Sequence, residues 1–341
     1  MRRRLVLVTA TLALSVLAAC SGREDPAPAA STAEGDELVA LARQEGQIVW
    51  YTGNLQPSID AVQKAFRDTY GIEVRVPERL SSAALAQRID ADVRSAGAIG
   101  ADVITTSDVA LADSLRAEEY TAPVSIATFP GVPPAFVRGD AGVGCSVVVP
   151  VVGYRTAGGL TIDSWDDLLD PRLSGRIMVN DPRNSAAWSQ MFATLFDDPR
   201  LGEGYLRKLR AQDYQPVASS LVGVEQLVAG QGDVLLAGTP GQFAGVGRDV
   251  AAWYPTDPAP VTVSQCVLPS GSTHPNAAKL FLQWLMTPDG QAALNNADYL
   301  ASPLEGVPGA TVRLPANFVT APPPARVQSE LPRVLAALGF N

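Results

Sequence analysis

Apolar and polar positions along the first third of the chain follow two periods in turn. In "GQIVWYTGNLQPSIDAVQKAFRDTYGIEVRV", Ile48 to Tyr51 form a short apolar run. Thr52-Gly53-Asn54 is a polar turn. Ile59, Val62, Ala65 and Phe66 then recur at helical spacing, and Gly71 closes the helix before "IEVRV". The stretch "SSAALAQRIDADVRSAG" predicts a second helix, with Ser81 or Ser82 as its cap, and "ADVITTSDVALADSLRAE" repeats strand, polar turn and helix. This alternation predicts an α/β fold with parallel strands.

The rhythm then changes. "GVGCSVVVPVVGYRT" and "PVTVSQCVLPSG" are long β-type stretches. Between them, "SWDDLLDPRLSGRIMVNDPRNSAAWSQMFATLF" and "GVEQLVAGQGDVLLAGTPGQFAGVG" each predict helix, strand, polar turn and helix. "HPNAAKLFLQWLMTPDGQAAL" is a strongly apolar helix expected to pack back on the first half, and "ARVQSELPRVLAALGF" is a further helix. Nothing repeats at a fixed period, which argues against a solenoid.

The chain has 341 residues, 47% of them hydrophobic, so there is ample core material for two domains or one large one. Its formal charge is -9, with no basic run. Nucleic acid is therefore not an expected partner, because neutralising phosphates needs clustered Lys and Arg. The N-terminus changes the picture further. Arg2, Arg3 and Arg4 precede an apolar segment from Leu5 to Leu17 that is short for a membrane span, and small residues follow. Leu17-Ala18-Ala19-Cys20 resembles a bacterial lipobox, which implies lipid attachment at Cys20 and cleavage before it. Residues 1–19 are then a signal peptide. Residues 20–36, poor in large apolar side chains, are a lipidated cysteine and flexible tether.

Two cysteines remain, Cys145 and Cys266, one in each long β stretch. In an exported chain such a pair is expected as a disulfide, with two free thiols the alternative. If bonded, the two stretches lie side by side, and the chain crosses to a second α/β unit near residue 145 and returns near 266. That organisation gives a discontinuous first lobe, 37–144 plus 267–341, and an inserted second lobe, 145–266. Two consecutive domains remain the other arrangement. The single histidine, His274, lies in a turn leading into a helix and is expected at the surface or in a cap, so no metal site is predicted.

Four strand-to-helix turns carry the candidate chemistry: Thr52-Gly53-Asn54, Thr105-Thr106-Ser107-Asp108, Arg183-Asn184-Ser185, and Gly238-Thr239-Pro240-Gly241-Gln242. Ligands of open α/β sheets bind beyond the carboxyl ends of strands, and helix starts present unpaired N–H groups that suit anions. Capping alone is the bland reading of each turn. Two turns in each proposed lobe together suggest a cleft. Trp188, four residues after Asn184, is expected on the same helix face and toward the ligand.

These segments resemble the substrate-binding proteins of bacterial ABC importers, in the type 2 periplasmic-binding class that includes ferric-iron binders. The resemblance rests on "IVWYTGN…AVQKAFRDTYGIEVRV", "ADVITTSD", "VVGYRT", "SWDDLLDPRLSGRIMVNDP", "LVAGQGDVLLAG" and "HPNAAKLFLQWLMTPDGQAAL", in that order. It implies two lobes, a two-strand hinge, an interlobe cleft for a small-molecule solute, and an ABC permease in the cytoplasmic membrane as partner. The protein would be a lipid-anchored monomer without enzymatic activity or cofactor. Ferric binders carry a tyrosine pair after the "VLLAG" strand, where this chain has Gln242-Phe243, and only Tyr51 is left as a phenolate candidate. Fe(III) favours anionic oxygen ligands. The loops therefore point to a small polar or anionic organic solute. Ferric iron, and a solute-independent interaction role, are the alternatives.

Overall fold

The computed structural model describes residues 32–124, 129, 131–139 and 142–340. The signal-peptide and Cys20 readings lie outside them; of the expected tether 20–36, Ala33 is instead buried in the first core and Gly35 and Asp36 begin a helix, because the amphipathic run from Gly35 packs on that core. Among the described residues, eleven strands form two mixed sheets, and eleven α-helices pack on them.

The first three strand–helix units arise as the periodicity predicts. Strand β1 (Gln47–Thr52) leads into α2 (Gln56–Tyr70), which ends at Gly71 in the left-handed region, φ 75°. Strand β2 (Glu73–Arg75) is followed by α3 (Ser82–Ala96), capped by Ser81 through Ala84 N. Strand β3 (Val103–Thr106) leads into α4 (Val109–Ala117). In the first sheet β2, β1 and β3 are parallel. β10 (Ala259–Val267) lies antiparallel beside β3 and also pairs with β4 (Val143–Val148) and β11 (Phe318–Thr320). In the second sheet β6 (Ile177–Asn180) runs parallel to β7 (Gln215–Val217) and β8 (Val234–Gly238), and β5 (Val151–Arg155) pairs antiparallel with β8 and β9 (Val250–Trp253).

The first core packs Trp50, Phe66, Phe281 and Trp284, with Phe66 edge-on to Phe281 at 5.0 Å between ring centres. The apolar helix around residue 280 does pack on the first sheet, together with α1 (Gly35–Glu45). It is two helices rather than one, α9 (Pro275–Leu285) and α10 (Pro288–Asn295), because Pro288 lacks an N–H and Thr287 caps a new start through Gly290 N. A Cβ on Gly290 would lie 2.0 Å from the Trp284 carbonyl oxygen, so only glycine fits this elbow. His274 is not simply a surface residue. Its Nδ1 lies 2.9 Å from buried Asp102, which also accepts from Val49 N, Ser272 Oγ and His274 N. The clamp ties β1, β3 and the start of α9 together.

The second core is built around Trp165, Phe192 and Tyr205 under α5 (Ala186–Asp197) and α6 (Gly202–Arg210). Two features differ from the sequence expectation. Both long β stretches start in the first sheet, so the chain leaves it after Val148 and rejoins it at Ala259, rather than at the cysteines. The last helix, α11 (Pro324–Leu338), packs on α5 and α6 of the second unit, burying Val334, Ala337 and Leu338 there. Its amphipathic pattern required a partner but did not specify which. The segment from Thr320 to Pro324 is thus a third crossing between the two units.

Cys145 and Cys266 are bonded, with Cα atoms 5.8 Å apart, and join β4 to β10 within the first sheet. The bond closes a loop that contains the whole second sheet with α5 and α6, but not α11. Reduction is expected to lower stability by about 2–4 kcal/mol through the longer free chain of the unfolded state. Urea unfolding of native against reduced and alkylated protein measures this; coincident midpoints would reject it.

Candidate functional site

The four turns sit at strand ends as expected, and all but the one before α5, whose start has no side-chain cap, have donors held by the chain itself. Thr52 is fully buried; its Oγ1 donates to Asn54 Oδ1 at 2.7 Å and accepts from Asn54 N at 3.2 Å. Gly53 passes so near the next segment that a Cβ would meet Leu80 O at 2.7 Å. Beyond it, Leu55 N and Asn54 Nδ2 donate to Asp298 Oδ2 at 2.9 and 3.4 Å. The start of α2 therefore holds a carboxylate from the chain itself. Asp298 Oδ1 is buried without a hydrogen-bond partner. Ser58 Oγ lies close enough to lower its proton affinity but outside hydrogen-bond geometry. Burial dominates, and the Asp298 carboxyl is pushed above the usual range.

A buried polar network sets Asp298 there. Asn295 donates to Cys145 O and Gln291 Oε1 and accepts from Ser146 Oγ, while Ser302 Oγ donates to Gln291 Oε1. The chain between, including Tyr299 at φ 54°, is thereby fixed against β4.

At the second turn, Thr106 Oγ1 accepts from Asp108 N, and Asp108 Oδ1 caps α4 by accepting from Ala110 N and Leu111 N. Ser107 Oγ lies 3.4 Å from Ser82 Oγ. The Ser107 carbonyl accepts from Gln190 Nε2 at 2.9 Å, a bond between the two units. At the third, Asp181 Oδ1 accepts from Arg183 N, and the Arg183 guanidinium pairs with Asp181 at 2.8 Å and lies over Phe340. Asn184 is exposed, with Nδ2 3.4 Å from Ala218 O, and Ser185 makes no side-chain cap to α5. At the fourth, Thr239 N donates to Gln242 Oε1 at 2.9 Å over the single turn α8 (Pro240–Phe243). Tyr299 of the first unit rests on Gly241, where a Cβ would lie 2.8 Å from its ring.

The structure thus brings Ser107 and Asp108 to Gln190, and the Asp298-Tyr299 segment to Asn54 on one side and Gly241 next to Gln242 on the other. Two expected ligand residues face away. Trp188 is 5% exposed in the second core, because residues 182–184 form a separate turn and α5 begins only at Ala186, which removes the assumed four-residue helical relation to Asn184. Tyr51 is 2% exposed. Its hydroxyl donates to Asp92 at 2.9 Å, Arg88 lies over its ring, and burial with the Asp92 bond pushes its pKa up to about 12. It offers no phenolate at neutral pH. Asp298, Gln190 and Gln265 carried no local signal, since their partners are distant in sequence.

Between the units lies a cavity of about 630 Å³, bordered by Asp108, Gln190, Val263, Gln265, Pro322 and Val327. β10 forms its floor, α4 and α5 its sides, and the third crossing one wall.

Residues 48–299 match the family of bacterial extracellular solute-binding proteins. The chain belongs to that family. No curated protein matches its sequence. Among solved structures, it is similar to iron-bound HitA from Pseudomonas aeruginosa, at 21% identity and TM-score 0.68, covering 86% of this chain and 99% of that one. It is also similar to IdiA (FutA) from Trichodesmium, in complex with iron and citrate, at 18% identity and TM-score 0.69, covering 87% of this chain and 100% of that one. AfuA from Actinobacillus pleuropneumoniae, with fructose-6-phosphate bound, gives 16% identity and TM-score 0.66, covering 87% and 100%. At these identities the likeness establishes the periplasmic-binding fold. No helix among the described residues of this solute-binding protein is long and apolar enough to cross a membrane.

Two outcomes follow from the site geometry. Tyr51→Phe is expected to leave solute binding unchanged and to cost about 1 kcal/mol of stability through the lost Asp92 bond; calorimetric binding and urea unfolding measure both. The raised Asp298 pKa means that the folded chain holds this proton more tightly than the unfolded one, so stability falls as pH rises from the unfolded value, about 3.9, through the folded one. Asp298→Asn should therefore raise the melting temperature at pH 7, with the gain fading below about pH 4. An equal or lower melting temperature at pH 7 would refute it.

Proposed function

We propose that this protein is the lipid-anchored, solute-capturing component of an ABC importer. Cys20 carries the lipid, and the tether ends before Ala33, which is already buried in the first core ahead of α1. The first lobe comprises the first sheet and its helices, and the second comprises the second sheet with α5, α6 and the C-terminal helix. The exported monomer takes a small polar solute between the lobes and presents it to a permease of the cytoplasmic membrane. A solute touching turns of both lobes stabilises the closed form over the open one by those contacts, and this difference drives capture.

The observation that carries the reading is the meeting of strand-end turns with the opposite lobe, Ser107 with Gln190 of α5 and Gly241 with Tyr299, in a chain of the solute-binding family. An organic solute is favoured over ferric iron. The place of the ferric binders' tyrosine pair holds Gln242, whose amide caps its own turn, and Phe243, whose ring packs within 2.1 Å of a Cβ built on Gly153. Tyr51 is bonded to Asp92.

Native mass spectrometry of the gently purified protein, with metal analysis, tests this. An organic mass lost on denaturation is expected. Stoichiometric iron would replace the organic solute by iron as cargo. The double variant Asn184→Ala, Thr239→Val should weaken retention of that mass at least tenfold while the chain still folds; full retention would reject the cleft assignment.

A further inference from the structure

Tyr299 has a backbone conformation that bulky side chains avoid, with φ 54°. Such outliers persist only where the surroundings over-determine them, and they cluster where function needs a fixed geometry. The surroundings here are explicit. Leu300 N donates to Asn295 O at 3.0 Å, Ala301 and Val147 exchange two backbone bonds of 2.9 Å, and Asp298 holds Leu55 N. The elbow that carries Tyr299 is thereby fastened to β4 and to the start of α2.

The surface it meets is as firmly set in the second lobe. Gly238 of β8 pairs with Val151 of β5, and Gly241 lies three residues further on, in the single turn α8. Phe243 locks that turn down by filling two notches, where Cβ atoms built on Gly153 and Gly238 would lie 2.1 and 2.6 Å from its ring. Gly241 does not use the left-handed backbone region, so glycine serves here for space alone. A Cβ on it would meet Tyr299 Cδ2, Cγ and Cβ at 2.8, 3.1 and 3.2 Å. Those atoms are the root of the side chain, which the fixed elbow cannot swing aside.

Val147 and Val151 flank the first crossing between the lobes, since β4 ends at Val148 and β5 begins at Val151. The ring and the glycine are thus braced on the two strands that this crossing joins. Gly241 follows the carboxyl end of β8, and Asp298, beside Tyr299, holds the helix start beyond β1, so the contact is on the cleft side. Closing presses it and opening releases it. Near the pivot, a displacement of one methyl group is magnified at the far mouth of the cleft.

Resting on the solute-capture reading above, we propose that the Tyr299 ring seated on Gly241 sets the limit of closing, and with it the spacing between the solute contacts of the two lobes. Tyr299 is a positioning residue, acting through the lobes rather than on the solute.

Small-angle X-ray scattering of the purified wild type, Gly241→Ala, Gly241→Val and the pair Gly241→Ala, Tyr299→Asn tests this, alongside the non-protein mass that each retains in native mass spectrometry. Asn accepts the left-handed backbone and removes the ring. Gly241→Ala is expected to enlarge the radius of gyration and to cut the retained mass at least tenfold, and Gly241→Val to go further. Tyr299→Asn should restore both in the Gly241→Ala background, a rescue that local damage to the turn would not give. If the paired variant fails to fold, the progression from Ala to Val carries the test. Unchanged radius and retention in both Gly241 variants would overturn the inference and leave solute capture standing, as would a Gly241→Ala defect that the folded pair keeps. A wild type without retained mass, with radii ordered as expected, would remove the capture reading and leave the seat. Equal radii and no retained mass in any of the proteins would remove both.

Discussion

Strand β10 is paired along both edges, and the rest of the molecule is arranged around that constraint. Its backbone is held by β3 and β4 on opposite edges, both pairing Gln265 and Cys266, and by β11 over its first residues. Buried N–H and C=O groups engaged this way fix register, because any slip would orphan several at once. Consecutive side chains then face opposite ways. Cys266 turns toward the first core and its bond to Cys145, while Gln265 turns toward the space between the sheets. One step along a strand separates a covalent tie from an unsatisfied amide.

The cleft turns show a related economy. A helix start needs acceptors, and this chain supplies them from within, twice through side chains of the same turn and once through Asp298, far away in sequence. Such internal capping rigidifies the turns. It also changes the electrostatic character of the cleft, since carboxylates stand where sequence logic placed open N–H groups. The net charge of the chain, -9, gives no hint of this, because contact-range partners rather than the summed charge decide what a helix start can bind.

How much was legible follows from the range of each interaction. Strand–turn–helix units such as 47–70 and 103–117 were readable because periodicity and caps act within a few residues. The cysteine pair was readable from its compartment and its place in two β stretches. The docking of α11 on the second core was not, since an apolar face at 334, 337 and 338 suits any complementary groove. The inward turn of Trp188 was missed because a break between Asn184 and Ala186 interrupts the helix on which the spacing argument relied. Asp298 was missed because nothing near it in sequence announces the helix it caps.

The segment from Thr320 to Pro324 has a mechanical consequence. It includes Pro322 and Pro323, whose rings hold the backbone extended, and it runs straight into Pro324 at the head of α11. An extended proline run spans roughly 3.1 Å per residue and has little slack to give. Two flexible joins side by side act as a door hinge, but a short inextensible stay fixed away from them acts as a door-stop. The widest gape of the mouth is then written into the length of that stay, and lengthening it by a few residues would change how far the two halves swing without altering a single wall of the chamber.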